Sequence, residues 1–183
     1  KIIFKQVLTF KNDSFTIQIN LLNEGADVLL IINDEEQLSF TQRNNLISLC
    51  KYEKIIRISI KLKSNIDIIY FKGSCKLTLS YFKNNKRLNI TPPPGAFLQP
   101  TIQGEEKIIM YVLNAIGNCK SIADLFCGSG TLTLPIATNV RVLGVDVNEE
   151  SIALLKRNIN NQLKSNQAKL LCSNLLTYPI SSI

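Results

Sequence analysis

Two carboxylates and a glycine turn are the residues of this sequence best suited to chemistry. The apolar run Ile122-Ala123-Asp124-Leu125-Phe126-Cys127 leads directly into Gly128-Ser129-Gly130-Thr131. One apolar run later, Val142-Leu143-Gly144-Val145 ends in Asp146. Glycines at Gly128 and Gly130 would let the backbone approach a ligand where any side chain would hold it away. A helix opening at Thr131 would present its first amides to that ligand. A carboxylate at the end of the second strand can accept both hydroxyls of a ribose. The bland alternative for Asp146 is a helix-capping acid, although Asn148 supplies a better cap. Two strand ends, one glycine turn and one carboxylate describe a site for an adenosine-type cofactor.

The turn departs from the dinucleotide fingerprint, because Thr133 stands where the third glycine belongs. A dinucleotide oxidoreductase is disfavoured on that ground. An acidic residue at the end of the first strand, Asp124, suits a cationic ligand better than a pyrophosphate. S-adenosyl-L-methionine carries a sulfonium and an ammonium, and nearby carboxylates favour it electrostatically. Asp124, Gly128, Gly130 and Asp146 are therefore the residue-level candidates for its site.

The segment from Thr91 onward resembles the RNA (uracil-5-)-methyltransferase family. The resemblance rests on Pro94-Gly95-Ala96-Phe97-Leu98-Gln99-Pro100, on Glu106-Lys107 in a helix, and on Asp124-Leu125-Phe126-Cys127-Gly128-x-Gly130. It implies methylation of uridine at carbon 5 in transfer or ribosomal RNA. It also implies that Gln99 contacts the cofactor, that Phe126 lines its site, and that Thr131 reaches the methionyl carboxylate at a position some members give to asparagine. Asn174, after the third strand, would read the adenine edge. Each has a plainer reading: a polar loop residue for Gln99, core packing for Phe126, turn chemistry for Ser173-Asn174. In the family a cysteine thiolate adds to carbon 6 before the methyl group is transferred, and a base then removes the carbon 5 proton. The motifs carrying that nucleophile and that base have no counterpart here. No catalytic residue is expected in this chain, and Cys127 is read as structural. The chain is expected to be a fragment holding the cofactor half. Methylation of a base amino group and a non-catalytic RNA-binding remnant remain open alternatives.

Charge agrees with a polyanionic partner. The 183 residues include 21 Lys and Arg against 14 Asp and Glu, a net charge of +7. Basic residues gather between Lys51 and Arg87, including Arg57, Lys61, Lys63 and Lys72. That half is the expected RNA contact. The absence of histidine excludes a histidine base or metal ligand within the chain. Five scattered cysteines without a Cys-x-x-Cys pair suggest reduced thiols in a cytoplasmic protein and no metal site. No uninterrupted apolar stretch suits a membrane span and no signal peptide is visible. The chain opens on Lys1 rather than Met, which leaves room for upstream sequence.

The elements that must position these residues follow from periodicity. Strands are expected at Phe15–Asn20, Asp27–Asn33, Ile55–Leu62, Ile66–Phe71, Lys76–Phe82 and Arg87–Ile90. A helix capped by Ser39 should run to about Lys51, and a turn is expected at Lys83–Lys86. Pro92-Pro93-Pro94-Gly95 marks a boundary between an α+β domain, 1–91, and the cofactor domain, 92–183. In the second, helix Gly104–Ile116 should bury Ile108, Ile109, Val112, Leu113 and Ile116. Strand Ser121–Phe126, helix Thr131–Thr138, strand Val140–Val145, helix Glu149–Lys164 and strand Lys169–Cys172 should follow. The fold class is α/β, an incomplete Rossmann-like methyltransferase sheet after an α+β domain.

Overall fold

The structure is a computed structural model, and it describes residues 15–32, 38–51, 54–81, 86–163 and 166–179. The chain divides into two compact units, Lys1–Cys75 and Lys76–Ile183.

The first unit is a four-stranded sheet, β1 (Phe15–Leu21), β2 (Ala26–Ile32), β3 (Ile55–Leu62) and β4 (Asn65–Phe71), in that spatial order. β1 and β2 form an antiparallel hairpin, and β3 and β4 another, but β2 and β3 run parallel. A parallel pair needs a crossover, which α1 (Phe40–Leu49) supplies. Ser39 caps it in a reciprocal box: Gln42 N–H donates to Ser39 Oγ, and Ser39 N–H to Gln42 Oε1. The helix ends at Leu49, short of Lys51. Alternation in the strands puts Val28, Leu30, Ile58 and Ile60 against Leu46 and Leu49 of α1, and this is the core of the unit.

The same alternation sends Asp27 and Arg57 to the other face, directly opposite each other in the register. Arg57 Nε and Nη2 donate to the two Asp27 carboxylate oxygens at 2.7 Å, and both residues are buried. The expectation that Arg57 belongs to a basic RNA-facing surface is corrected here. A fork-on-carboxylate pair out of water is a structural device.

The second unit begins with the antiparallel hairpin β5 (Leu77–Tyr81) and β6 (Lys86–Ile90). Of the turn expected at Lys83–Lys86, residues 83–85 lie outside the described ones and Lys86 opens β6. The hairpin is bonded forward along the chain. Ser80 N–H donates to Glu106 Oε1, and Asn89 exchanges two 2.7 Å hydrogen bonds with Gln162. Those bonds explain why the units divide at Cys75 and Lys76, ahead of the proline run.

After the prolines come α2 (Ile102–Ile116), β7 (Ser121–Leu125), α3 (Thr133–Ile136), β8 (Arg141–Asp146), α4 (Glu149–Gln162) and β9 (Ala168–Cys172). β7, β8 and β9 form a parallel sheet in sequence order. Among the described residues β7 pairs only with β8, and Leu125 is 47% exposed. Thr101 and Asn148 cap α2 and α4 through their side chains. Ile136, Ala137 and Val142 form a core with Val112, Leu113 and Ile116 packed against it. Leu134, Val145 and Leu155 are fully buried. Ile108 does not join this core and is 37% exposed.

The helix expected over Thr131–Thr138 is one turn, Thr133–Ile136. Leu134 N–H bonds to Gly130 and Ile136 N–H to Leu132, but Pro135 has no N–H to send to Thr131. Thr138 and Asn139 then donate only three residues back, to Pro135 and Ile136, and the turn tightens to its end.

Candidate functional site

The glycine turn is held by its own amides. Cys127 N–H donates to Val145 O at 3.0 Å, and Gly130 N–H to Cys127 O at 2.9 Å. Gly128 N–H donates to Asp146 Oδ2 at 2.7 Å, while Asp146 Oδ1 accepts Asn148 N–H at 2.9 Å. The Cys127 and Gly128 amides tie the turn to the end of β8, and the Gly130 amide closes it on Cys127. The two glycines also divide their duties. A Cβ on Gly128 would meet nothing within 4 Å, whereas one on Gly130 would strike Leu155 Cδ1 at 2.2 Å. Gly128 leaves backbone open to the outside. Gly130, at φ +81°, makes room for α4.

Thr133 has a use that a third glycine could not serve. Its hydroxyl donates to Asp124 Oδ2 at 2.5 Å, and Thr133 is fully buried. Burial raises the Asp124 carboxyl above its ordinary range, the Asp146 charge adds to the rise, and the Thr133 hydrogen bond opposes it. Burial also pushes the Cys127 thiol up to about 12, with Asp124 and Asp146 adding to the effect. Cys127 is buried and stays protonated at neutral pH.

A cavity of about 380 Å³ opens on this turn. It brings together Gln99, Asp124, Phe126, Gly128 and Thr131 of the expected residues. Phe126 is 62% exposed at φ +64°, so it is not a core residue. Asp146 is not among the lining residues but is bonded to one of them, Gly128. Gly130 and Asn174 are not among the lining residues. Asn174 organises a turn, its Oδ1 accepting Leu176 N–H and its carbonyl accepting from Thr177 and Tyr178.

One wall residue went unread in the sequence. Glu105 is 4% exposed, lines the cavity, and accepts Gln99 N–H on Oε2 at 3.1 Å. The signal was present: Glu105 is four residues before Ile109, on the buried face of α2. Ile108, from the same turns of the helix, also lines the cavity.

A parallel β-α-β-α-β sheet carrying a glycine turn between two acidic strand ends is a Rossmann-like methyltransferase fold. A model of the tRNA (uracil-5-)-methyltransferase family matches residues 76–178, more than half of the chain, and the chain belongs to that family. It is 27% identical over 141 residues to an uncharacterized RNA methyltransferase of Zymomonas mobilis, covering 77% of this chain and 34% of that protein. It is 27% identical over 132 residues to a tRNA/tmRNA (uracil-C(5))-methyltransferase of Campylobacter hominis, covering 70% of this chain and 35% of that one. The chain thus spans about a third of the length of these relatives. Among solved structures, the Pyrococcus abyssi tRNA (uracil-54, C5)-methyltransferase in complex with S-adenosyl-L-homocysteine superposes with a TM-score of 0.56 at 18% identity, over 86% of this chain and 38% of that one. No helix among the described residues is long and apolar enough to cross a membrane.

Proposed function

We propose that this chain forms the cofactor-holding part of an enzyme that methylates carbon 5 of a uridine in transfer or ribosomal RNA, with S-adenosyl-L-methionine as methyl donor. The observation that carries the reading is the cavity on the glycine turn. Its walls hold Asp124 and Glu105, and among the described residues that line it there is no Lys or Arg. Such a wall favours a cation over a pyrophosphate. The family membership and the relatives named above point the same way.

The residues fit the group. Gly128 faces open space, so the backbone there admits a ligand that a Cβ would obstruct. Asp124 stands where a sulfonium or ammonium gains most from its charge. Asp146 has two of roughly four acceptor positions in use, by Gly128 and Asn148, leaving capacity for ribose hydroxyls. Gln99, Phe126 and Thr131 complete the wall. Gly130 contributes by letting α4 close on the turn, and Asn174 stays a candidate for the adenine edge. When bound, the sulfonium supplies an electrophilic methyl group. No cysteine of this chain is assigned as nucleophile. Cys127 is held protonated, and burial raises the thiols of Cys50, to about 11, and of Cys75.

The RNA contact is assigned to exposed lysines of the first unit, among them Lys54, Lys63 and Lys72, without Arg57. The free thiols fit the reducing cytoplasm.

Calorimetry on the full chain tests the cofactor reading. Replacing Asp146 by Ala should cost about tenfold to a hundredfold in S-adenosyl-L-methionine affinity, the worth of one charge-assisted hydrogen bond. Unchanged affinity would remove Asp146 from the site. Equal binding of a nicotinamide dinucleotide would overturn the choice of cofactor.

A further inference from the structure

Glu105 combines features that a purely structural role does not require. It sits in the first turn of α2, is almost fully buried, and faces the cavity. One of its oxygens accepts Gln99 N–H. Among the described residues no Lys or Arg lies within 4.0 Å of its carboxylate. A buried carboxylate with so few donors is poorly compensated. The start of α2 offsets part of that cost through its unpaired amides. Holding the Gln99 segment needs only an acceptor, which a glutamine would provide equally well. Beyond its favourable place at the start of α2, the negative charge is of use to a cation entering the cavity.

We propose that Glu105 is a specificity-determining residue of this site, selecting ligands that carry an ammonium group where the Gln99 segment meets α2. The inference rests on the reading that S-adenosyl-L-methionine or its product occupies the cavity. Glu105 then does two things with two oxygens. One fixes the Phe97–Gln99 segment, and the other faces the amino-acid end of the ligand. Asp124 supplies the second carboxylate of the same wall. Selection of the aminoacyl end would be shared between a strand end and a helix start.

The test uses the full chain, the variant Glu105→Gln and two neutral thioethers, S-adenosyl-L-homocysteine, which keeps the ammonium, and 5′-methylthioadenosine, which lacks the whole amino-acid end. Glutamine preserves the acceptor for Gln99 N–H and removes the charge. The expected result is a loss of about tenfold in affinity for S-adenosyl-L-homocysteine, one charge-assisted bond, with 5′-methylthioadenosine unchanged. Unchanged binding of the second ligand also shows that the variant is folded. Equal weakening of both ligands would make Glu105 merely structural and overturn the proposal, as would no weakening of either. Failure of the wild-type chain to bind either ligand is a different result, and it overturns the cofactor reading together with this inference.

Discussion

Leu155 occupies the space that a side chain on Gly130 would need, with its Cδ1 only 2.2 Å from where a Cβ would stand. The glycine turn and α4 are therefore one packed unit. A side chain on Gly128, by contrast, would point into open space.

That division predicts unequal costs. Gly128→Ala meets no atoms and should cost about 1–2 kcal/mol, the penalty of a left-handed backbone for a residue with a Cβ. Gly130→Ala adds a collision with a fully buried Leu155, and its cost should exceed that of Gly128→Ala by about 1–3 kcal/mol. Urea denaturation of both variants measures the difference. Equal midpoints would show that α4 yields easily.

Thiol chemistry should separate the cysteines. Cys127 is buried, with its thiol pushed up to about 12, while Cys119 and Cys172 are exposed. Iodoacetamide at pH 8 should label Cys119 and Cys172 and leave Cys127 unmodified until the chain is unfolded. Mass spectrometry after timed labelling reads this directly. Early modification of Cys127 would contradict the packing of the turn.

Asp124 should make stability depend on pH in an unusual direction for a carboxylate. Its folded value is raised above the ordinary 3.8, chiefly by burial. Below that value both folded and unfolded chains carry the proton. As pH rises above it the unfolded chain ionises first, so stability falls as pH climbs through the raised folded value. Asp124→Asn removes this loss. Its melting temperature relative to wild type should be higher at pH 7 than at pH 3.5. The same substitution should weaken S-adenosyl-L-methionine by about tenfold, because a buried charge facing the cation is gone. A pH-independent difference in melting temperature would argue that Asp124 titrates normally.

The Asp27–Arg57 pair should be a stability element and not an RNA contact. Removing one partner strands the other charge in a buried site, so Arg57→Ala should destabilise the chain by about 3–5 kcal/mol. Lys72→Ala, at an exposed position, should leave stability within about 0.5 kcal/mol of wild type. It should instead reduce the salt dependence of binding to structured RNA. Filter binding across salt concentrations, with thermal denaturation alongside, checks both. Loss of RNA affinity in a fully folded Arg57→Ala chain would reverse the assignment.

Local chemistry in the sequence was enough to place most elements and several of the residues that line the cavity. Strand alternation, the Ser39, Thr101 and Asn148 caps, and the order of strand, glycine turn, strand and carboxylate depend on neighbours a few residues apart. Asp124 and Gly128 were legible as candidates for that reason, as was Asp146, bonded to Gly128, and Gln99, Phe126 and Thr131 through the family pattern. Tertiary structure decided the rest, because it turns on contacts between residues distant in sequence. Arg57 reads as a surface cation until the parallel register sets it opposite Asp27. That Gly130 also makes room for α4 shows only when Leu155 is brought against it. Thr133 reads as a missing glycine until its hydroxyl meets Asp124. Glu105 draws no notice in the sequence until the fold buries it at the cavity wall, where its carboxylate accepts Gln99 N–H.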